Sequence, residues 1–386
     1  MKTITTTAAL ADFCKACAEQ PYVTVDTEFL RERTYYSKLC LVQMAYPGEG
    51  EENAVIVDPL AGEIDLAPMY ELFENKNVVK VFHAARQDLE IFAVERGIIP
   101  KPFFDTQIAA MVCGFGEQVG YETLVRQIAK ASVDKSSRFT DWSRRPLSDK
   151  QKHYALADVT HLRGIYEYLA AELEKTGRKA WLEEEIAVLM NPETYRVDPD
   201  NAWKRLKTRN NSRKFLAVVR ELARFREETA QSRNIPRNRI YKDDALMELA
   251  ATRPHSFDDL NKSRLLLREA RKGAIAEGIL AAVKRGERCA PEDMPEALPA
   301  RVKKNGTESL ADLLRVLLKA KAEKYRVAQK LIATAADLDA LAAGDDSDAR
   351  VLKGWRREVF GEDALRLREG KIALSATPRG VKLIDL

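Results

Sequence analysis

Strand signals in this chain stop at Pro192. Before that residue, short β-rich runs alternate with amphipathic helical segments, and after it nearly everything to about Gly286 is helical in pattern. Alternating strands and helices form layered α/β domains, whereas a purely helical stretch must bury its apolar stripes in a separate helical core. At 386 residues the chain also exceeds what one hydrophobic core normally serves. The expectation is an α/β domain over 1–195, a helical domain over 205–288, a linker over 289–305 carrying Pro291, Pro295 and Pro299, and a second helical block over 306–386.

Within the first part, Val23–Phe29, Lys38–Met44, Ala54–Asp58 and Val78–Phe82 read as strands. Pro47-Gly48-Glu49-Gly50 supplies turn chemistry, so the second and third strands pair as a hairpin. A helix over roughly 85–95 ends at Gly97, and Asp105 caps a helix over Thr106–Val112. Ser148-Asp149-Lys150-Gln151 is a capping box that opens a long helix, with Leu156, Val159, Leu162, Ile165 and Leu169 at helical spacing. Further on, Ile235-Pro236 and Pro254 divide the helical part into short helices. The tail from Leu365 has short apolar alternations that the pattern leaves unassigned.

Composition excludes several classes. A 45% hydrophobic and 32% charged chain is globular, neither disordered nor fibrous. The start, Met1-Lys2-Thr3-Ile4, lacks the apolar run of a signal peptide, and no stretch reaches the roughly 20 apolar residues of a membrane span. Five scattered cysteines do not make a disulfide framework, so reduced thiols and a cytoplasmic location are expected. Cys14 and Cys17 form a CxxC, but no second pair of ligands completes a zinc site, and helix packing is the better reading. Net charge is +4, yet Trp203–Lys242 alone holds thirteen Lys/Arg against three acids, a local excess of +10. A basic segment beside an acidic remainder suits a polyanionic partner; the alternative is a solvated helix face.

Carboxylates carry the chemistry. Asp26 and Glu28 lie two apart on an otherwise apolar strand, so both leave one face of the sheet and something positive should neutralise them. Asp88 sits in the first turn of the helix after the Val78–Phe82 strand, on the rim where open α/β sheets place their sites. Tyr154 and Asp158 are four apart on one helix face. Carboxylates without cysteine select hard cations such as Mg²⁺ or Mn²⁺, and two such ions ~4 Å apart stabilise the attacking and departing oxygens of a phosphoryl displacement. A phenol with a pKa of about 10 is a poor base at neutral pH, so Tyr154 orients water instead of deprotonating it. Each pair alone is commonly structural or solvent-facing.

The order of these residues adds more. Val25-Asp26-Thr27-Glu28-Phe29, His83–Leu89 and His153–Val159 resemble the three exonuclease motifs of the DEDD superfamily in its tyrosine subclass, within about 135 residues. Phe104-Asp105-Thr106 and Asp141–Leu147 look like further blocks of the same family, and over nearly the whole chain the closest resemblance is to the ribonuclease D family. Phe215–Leu260 resembles an HRDC domain, and Leu310–Phe360 a more divergent copy. The resemblance implies an α/β RNase H-like catalytic domain, a mixed sheet flanked by helices, followed by two small all-α HRDC-type domains. It implies a 3′→5′ exoribonuclease using two divalent ions, Mg²⁺ or Mn²⁺. Asp26, Glu28 and Asp158 would hold the first ion, Asp26 and Asp88 the second, and Tyr154 the nucleophilic water. The implied partner is RNA, especially tRNA precursors with 3′ extensions, acted on by a monomer that releases nucleoside 5′-monophosphates. Lys135–Phe139 lies where the family would place a lysine and a glutamine near the RNA backbone, and here only the lysine is evident.

Other polar and aromatic residues have plainer readings. His83 packs or caps at its strand end, Asp105 is a helix cap, and Asp58 before Pro59 is a turn residue. Trp142, Trp203 and Trp355 are buried anchors before they are base-stacking platforms. Two rival functions stay open: a DNA 3′→5′ exonuclease with the same site, distinguished by contacts to the 2′-hydroxyl, and a non-catalytic RNA-binding scaffold.

Overall fold

The computed structural model describes residues 1–296, 306–346 and 349–386. They fold into two compact units. One holds residues 1–28 and 40–194 with the described C-terminal block from 306 on; the other holds 29–39 and 195–296. Of the linker expected over 289–305, residues 297–305 lie outside the described ones.

In the first unit the strands are β1 (Lys2–Ile4), β2 (Tyr22–Leu30), β3 (Lys38–Ala45), β4 (Ala54–Val57), β5 (Val79–Phe82) and β6 (Phe103–Asp105), which form one six-stranded sheet in the order β1-β4-β3-β2-β5-β6. The predicted hairpin is present, with β3 and β4 antiparallel and Val42 opposite Val57. By contrast β1 pairs with β4, β2 with β5 and β5 with β6 in parallel. The sheet is therefore mixed, as expected. Its central strand β2 is apolar and fully buried at Val23 and Val25, while Asp26 and Glu28 remain partly exposed.

Helices α1 (Thr7–Ala18), α2 (Ala67–Glu74), α3 (Arg86–Arg96), α4 (Thr106–Val112), the short α5 (Tyr121–Leu124), α6 (Asp149–Thr176) and α7 (Lys179–Leu189) belong with this sheet. Gly97 ends α3 with φ +69°, a left-handed conformation that costs glycine little. The capping box at the start of α6 is formed on both sides, by Ser148 and Gln151. Cys14 and Cys17 are buried in α1, packed as the helix reading has it, and burial pushes the Cys14 thiol up to about 12.

The C-terminal block packs on this domain. Arg178 Nη2 donates to the carbonyl of Tyr325 at 2.5 Å, Trp181 and Trp355 stack with centroids 4.4 Å apart, and buried Arg356 pairs with Glu184 at 2.5 Å. The block begins with a helix over Glu308–Tyr325, and its unassigned tail proves to be a helix, Glu362–Arg368, followed by a two-stranded antiparallel hairpin, Ile372–Thr377 with Gly380–Asp385.

From 195 to 296 the second unit is helical, with the expected breaks. Its longest helix, Arg213–Arg233, packs its apolar side into a core that includes Trp203, Leu222, Tyr241, Leu246, Leu249 and Ile279. The basic segment is partly consumed there. Arg205 and Arg237 pair with buried Glu227, and buried Arg226 donates to the Tyr241 carbonyl and to Asp243. Lys204, Lys207, Arg209, Lys214, Arg233, Arg239 and Lys242 stay exposed. Trp142, Trp203 and Trp355 are all buried.

Candidate active site

Each acidic side chain reaches the site by a separate local device. Asp26 and Glu28 share a face of β2 because strand side chains alternate. That strand is tied down by Thr24, whose hydroxyl donates to the carbonyls of Ala45 on β3 at 3.0 Å and Val159 on α6 at 2.9 Å. The second bond clamps α6 next to β2 one residue beyond Asp158. Tyr121 adds another clamp by donating to the Ala157 carbonyl at 2.8 Å, and buried Arg163 donates to the carbonyls of Tyr46 and Gly50 in the β3–β4 hairpin. Asp158 is thus held on both of its backbone sides.

Asp88 depends on Asp105. One oxygen of Asp105 caps α4 through Gln107 N at 2.8 Å and Ile108 N at 3.2 Å, as predicted. The same carboxylate also accepts from Ala84 N and Ala85 N, which fixes the turn between β5 and α3. Ala84 has φ +57° there, a conformation a non-glycine residue adopts only when its surroundings impose it. One helix turn later Asp88 is buried and accepts a short hydrogen bond from the Thr27 hydroxyl, between Asp26 and Glu28 in the sequence.

One carboxylate oxygen each from Asp26, Glu28 and Asp158 lie within 4.8 Å of one another. Asp88 stands a step outside this trio but close enough to repel Asp26 and Glu28. Tyr154, a turn before Asp158, lies close enough to lower the pKa of its carboxyl. Asp26, Glu28 and Asp158 thus come together, with Asp88 and Tyr154 near enough to act on them. His83 does not join them: its Nδ1 lies 3.0 Å from the Thr106 hydroxyl, and its ring packs 5.5 Å from that of Tyr121, as the packing reading has it.

The electrostatics are those of a site lacking positive charge. Burial, then the neighbouring Asp26, Asp158 and Asp88, pushes Glu28 up to about 10. Burial and then Asp158 raise Asp26; burial and then Asp26 raise Asp88. Asp158 rises less, to about 7, because the Tyr154 hydrogen bond and the charge of Arg138 oppose its burial. Burial and Asp158 also raise the Tyr154 phenol, so it stays protonated at neutral pH and donates. Four mutually repelling oxygen-donor side chains at this spacing fit hard divalent cations, which would restore them to carboxylates.

Three features of the site were not legible from the motifs. Arg138, read only as part of a stretch lacking a glutamine, is the cation whose field reaches both Asp158 and Tyr154, and it lies 5.2 Å over the ring of Phe139, itself 90% exposed. Trp142 is buried 6.0 Å from the Tyr154 ring, backing it from the protein side. Asp58 does make its turn, accepting from Leu60 N at 3.0 Å, but it also takes a bidentate pair from Arg145, both bonds 2.6 Å. That pair fastens the Asp141–Leu147 segment to β4, and Arg145 sits 87 residues away, beyond any local pattern.

Comparison with known proteins gives this geometry its family. The 3′-5′ exonuclease family matches residues 1–174, and the HRDC domain family matches residues 215–283. Ribonuclease D of Jannaschia sp. (strain CCS1) is 64% identical over 384 residues, covering 100% of this chain and 99% of that protein. Ribonuclease D of Granulibacter bethesdensis is 49% identical, covering 99% and 96%. The crystal structure of Escherichia coli RNase D, described as an exoribonuclease involved in structured RNA processing, superposes with a TM-score of 0.82 at 28% identity, over 96% of this chain and 98% of that one. With near-complete coverage at this identity and the acidic cluster in place, the chain belongs to the ribonuclease D family of 3′→5′ exoribonucleases.

Proposed function

We propose that Asp26, Glu28, Asp88 and Asp158 hold two divalent ions, Mg²⁺ or Mn²⁺, against the terminal phosphodiester of an RNA 3′ end, with Tyr154 as the water-orienting residue. The observation that carries this reading is the cluster itself: half-buried carboxylates pushed up together, with Arg138 beside Asp158 as too little positive charge to answer them. Divalent ions bound there would supply charge stabilisation for the attacking and departing oxygens of an in-line displacement. The chain's own residues do the rest. Tyr154, protonated and beside Asp158, offers its hydroxyl to the attacking water; Trp142 packs near its ring. Arg138, exposed beside the cluster, is placed to meet the negative charge of the substrate backbone.

On this reading the products are nucleoside 5′-monophosphates and the substrates include 3′-extended tRNA precursors, gripped in part by the exposed lysines and arginines of the second unit. The domain limits follow as 1–195, 205–288 and 306–386. The five free cysteines suit a reducing cytoplasm. Incubating the full chain with 3′-extended tRNA and with matched single-stranded DNA, each in Mg²⁺, Mn²⁺ or EDTA, tests this. Stepwise shortening of RNA in Mg²⁺ or Mn²⁺, release of 5′-monophosphates and silence in EDTA are expected. Preferential degradation of DNA would favour the rival polymer, and activity in EDTA would remove the metals.

A further inference from the structure

Residues 137–140 form a tight turn that is tied at both ends. Thr140 N donates to the Ser137 carbonyl at 3.2 Å, which closes the turn, and the Thr140 hydroxyl donates to the same carbonyl at 2.8 Å. Ser137 is buried at one end. At the other, Gln151 Nε2 donates to the Thr140 hydroxyl at 3.2 Å, which fastens the turn to the start of α6, the helix that carries Tyr154 and Asp158. Arg138 and Phe139 are left as the two central residues, both exposed.

This tip lies close to the acidic cluster. Phe139 precedes Trp142 by three residues, so their Cα atoms are at most roughly 11 Å apart, and the Trp142 ring is 6.0 Å from that of Tyr154. The field of Arg138 reaches Tyr154 and Asp158 as well. A lone exposed apolar side chain is ordinary on a protein surface. Phe139 differs in its setting: it is 90% exposed, the most exposed large apolar side chain among the described residues, and the Arg138 guanidinium lies 5.2 Å over one face of its ring. The other face is bare. Trp142, Trp203 and Trp355, the aromatic platforms that the sequence offers, are all buried.

Resting on the RNA-end reading above, we infer that Phe139 is a substrate-binding residue whose bare face stacks on a nucleobase next to the scissile phosphate. Every base has a π face, so such a platform holds an RNA end without reading its sequence, and an arginine on the ring strengthens the contact. The stack also needs a base free of its own neighbours, which fits an unpaired 3′ end.

The test uses the full chain with oligoribonucleotides that carry an intact base or an abasic ribose at each of the last two positions. Phe139→Ala should raise KM for the intact oligonucleotide by about tenfold, within the range set by loss of one stacked aromatic, while kcat at saturating RNA stays at the parent value. Phe139→Leu, apolar but without a π face, should behave like the alanine variant, and Phe139→Trp should stay at the parent value. In the parent, removing the base at one of the two positions should cost the same factor; in Phe139→Ala that removal should cost nothing, because the stacking partner is already gone. An exposed side chain is replaced with little effect on the fold, and unchanged melting of each variant checks this. A parent-like KM in Phe139→Ala, a loss confined to kcat, or an abasic penalty as large in that variant as in the parent overturns the inference. Asp26→Asn run alongside separates the two claims. If it abolishes hydrolysis while Phe139→Ala keeps the parent KM, only the stack fails; if it hydrolyses RNA at the parent rate, the site reading fails and the stack with it.

Discussion

Two acidic centres in this molecule, one fully buried and one half-buried, are answered in opposite ways. In the second unit Glu227 is fully buried and answered from within, by Arg205, Arg237 and the Tyr35 hydroxyl. In the first unit Asp26, Glu28, Asp88 and Asp158 repel one another, and the field of Arg138 reaches Asp158. A buried charge must be paired or it costs the fold several kcal/mol. Where the chain supplies the partners, as around Glu227, the carboxylate is architecture. Where it leaves the pairing incomplete, as on β2 and α6, the missing charge would have to come from solution, which makes the cluster a candidate site.

The sharpest way to break this contrast is to remove one repelling carboxylate from the first centre. Asp26→Asn keeps the shape of the strand and should lower RNA hydrolysis by about a thousandfold or more, because several kcal/mol of charge stabilisation depend on it. Binding of the same RNA, followed by fluorescence anisotropy in EDTA, should change little. A variant that hydrolyses at the parent rate would show that the cluster is a structural accident.

The converse change in the second centre should act on stability. Glu227→Ala strands Arg205 and Arg237 and leaves the Tyr35 hydroxyl without its acceptor, so a loss of about 3–5 kcal/mol is expected. Hydrogen exchange over Arg213–Arg233 should report it as lost protection. Unchanged protection would mean that water takes over the role of Glu227.

A smaller effect belongs to Tyr154. Tyr154→Phe retains the packing against Trp142 but removes the hydroxyl, and kcat should fall about a hundredfold with KM for RNA held, as for loss of a group that orients the attacking water. Equal loss in kcat and in RNA affinity would make the tyrosine a binding residue.

The smallest expected effect sharpens the comparison through pH. Asp158 and Glu28 have folded pKa values of about 7 and about 10, above those of an unfolded chain near 4. Their contribution to stability is complete below pH 4 and is lost as pH rises, through 7 for Asp158 and onward toward 10 for Glu28. Metal-free protein should therefore weaken across that window, and the rise in melting temperature on adding Mn²⁺ should be larger at pH 8 than at pH 5. A Mn²⁺ effect independent of pH would indicate binding elsewhere.

Local pattern was enough for much of the scaffold and for the identity of the acidic residues. The Asp26–Glu28 pair on one strand face, the capping box of Ser148 and Gln151, the Asp105 cap and the Gly97 stop all rest on interactions within four residues, which the sequence displays directly. The order of the motifs along the chain carries the family resemblance as well. The three-residue strands β1 and β6 escaped notice, because each is held by its neighbours in the sheet and has too few residues for a period.

Tertiary structure alone decided what surrounds those acids. The Asp58–Arg145 pair, the approach of Arg138 to Asp158, the seat of Trp142 behind Tyr154 and the capture of Tyr35 by Asn234 and Glu227 join residues up to 199 positions apart. Sequence fixes which groups repel, since charge and spacing along a strand or helix are local. Whether a counter-charge lies within reach depends on how distant segments pack, and that is where the two acidic centres part.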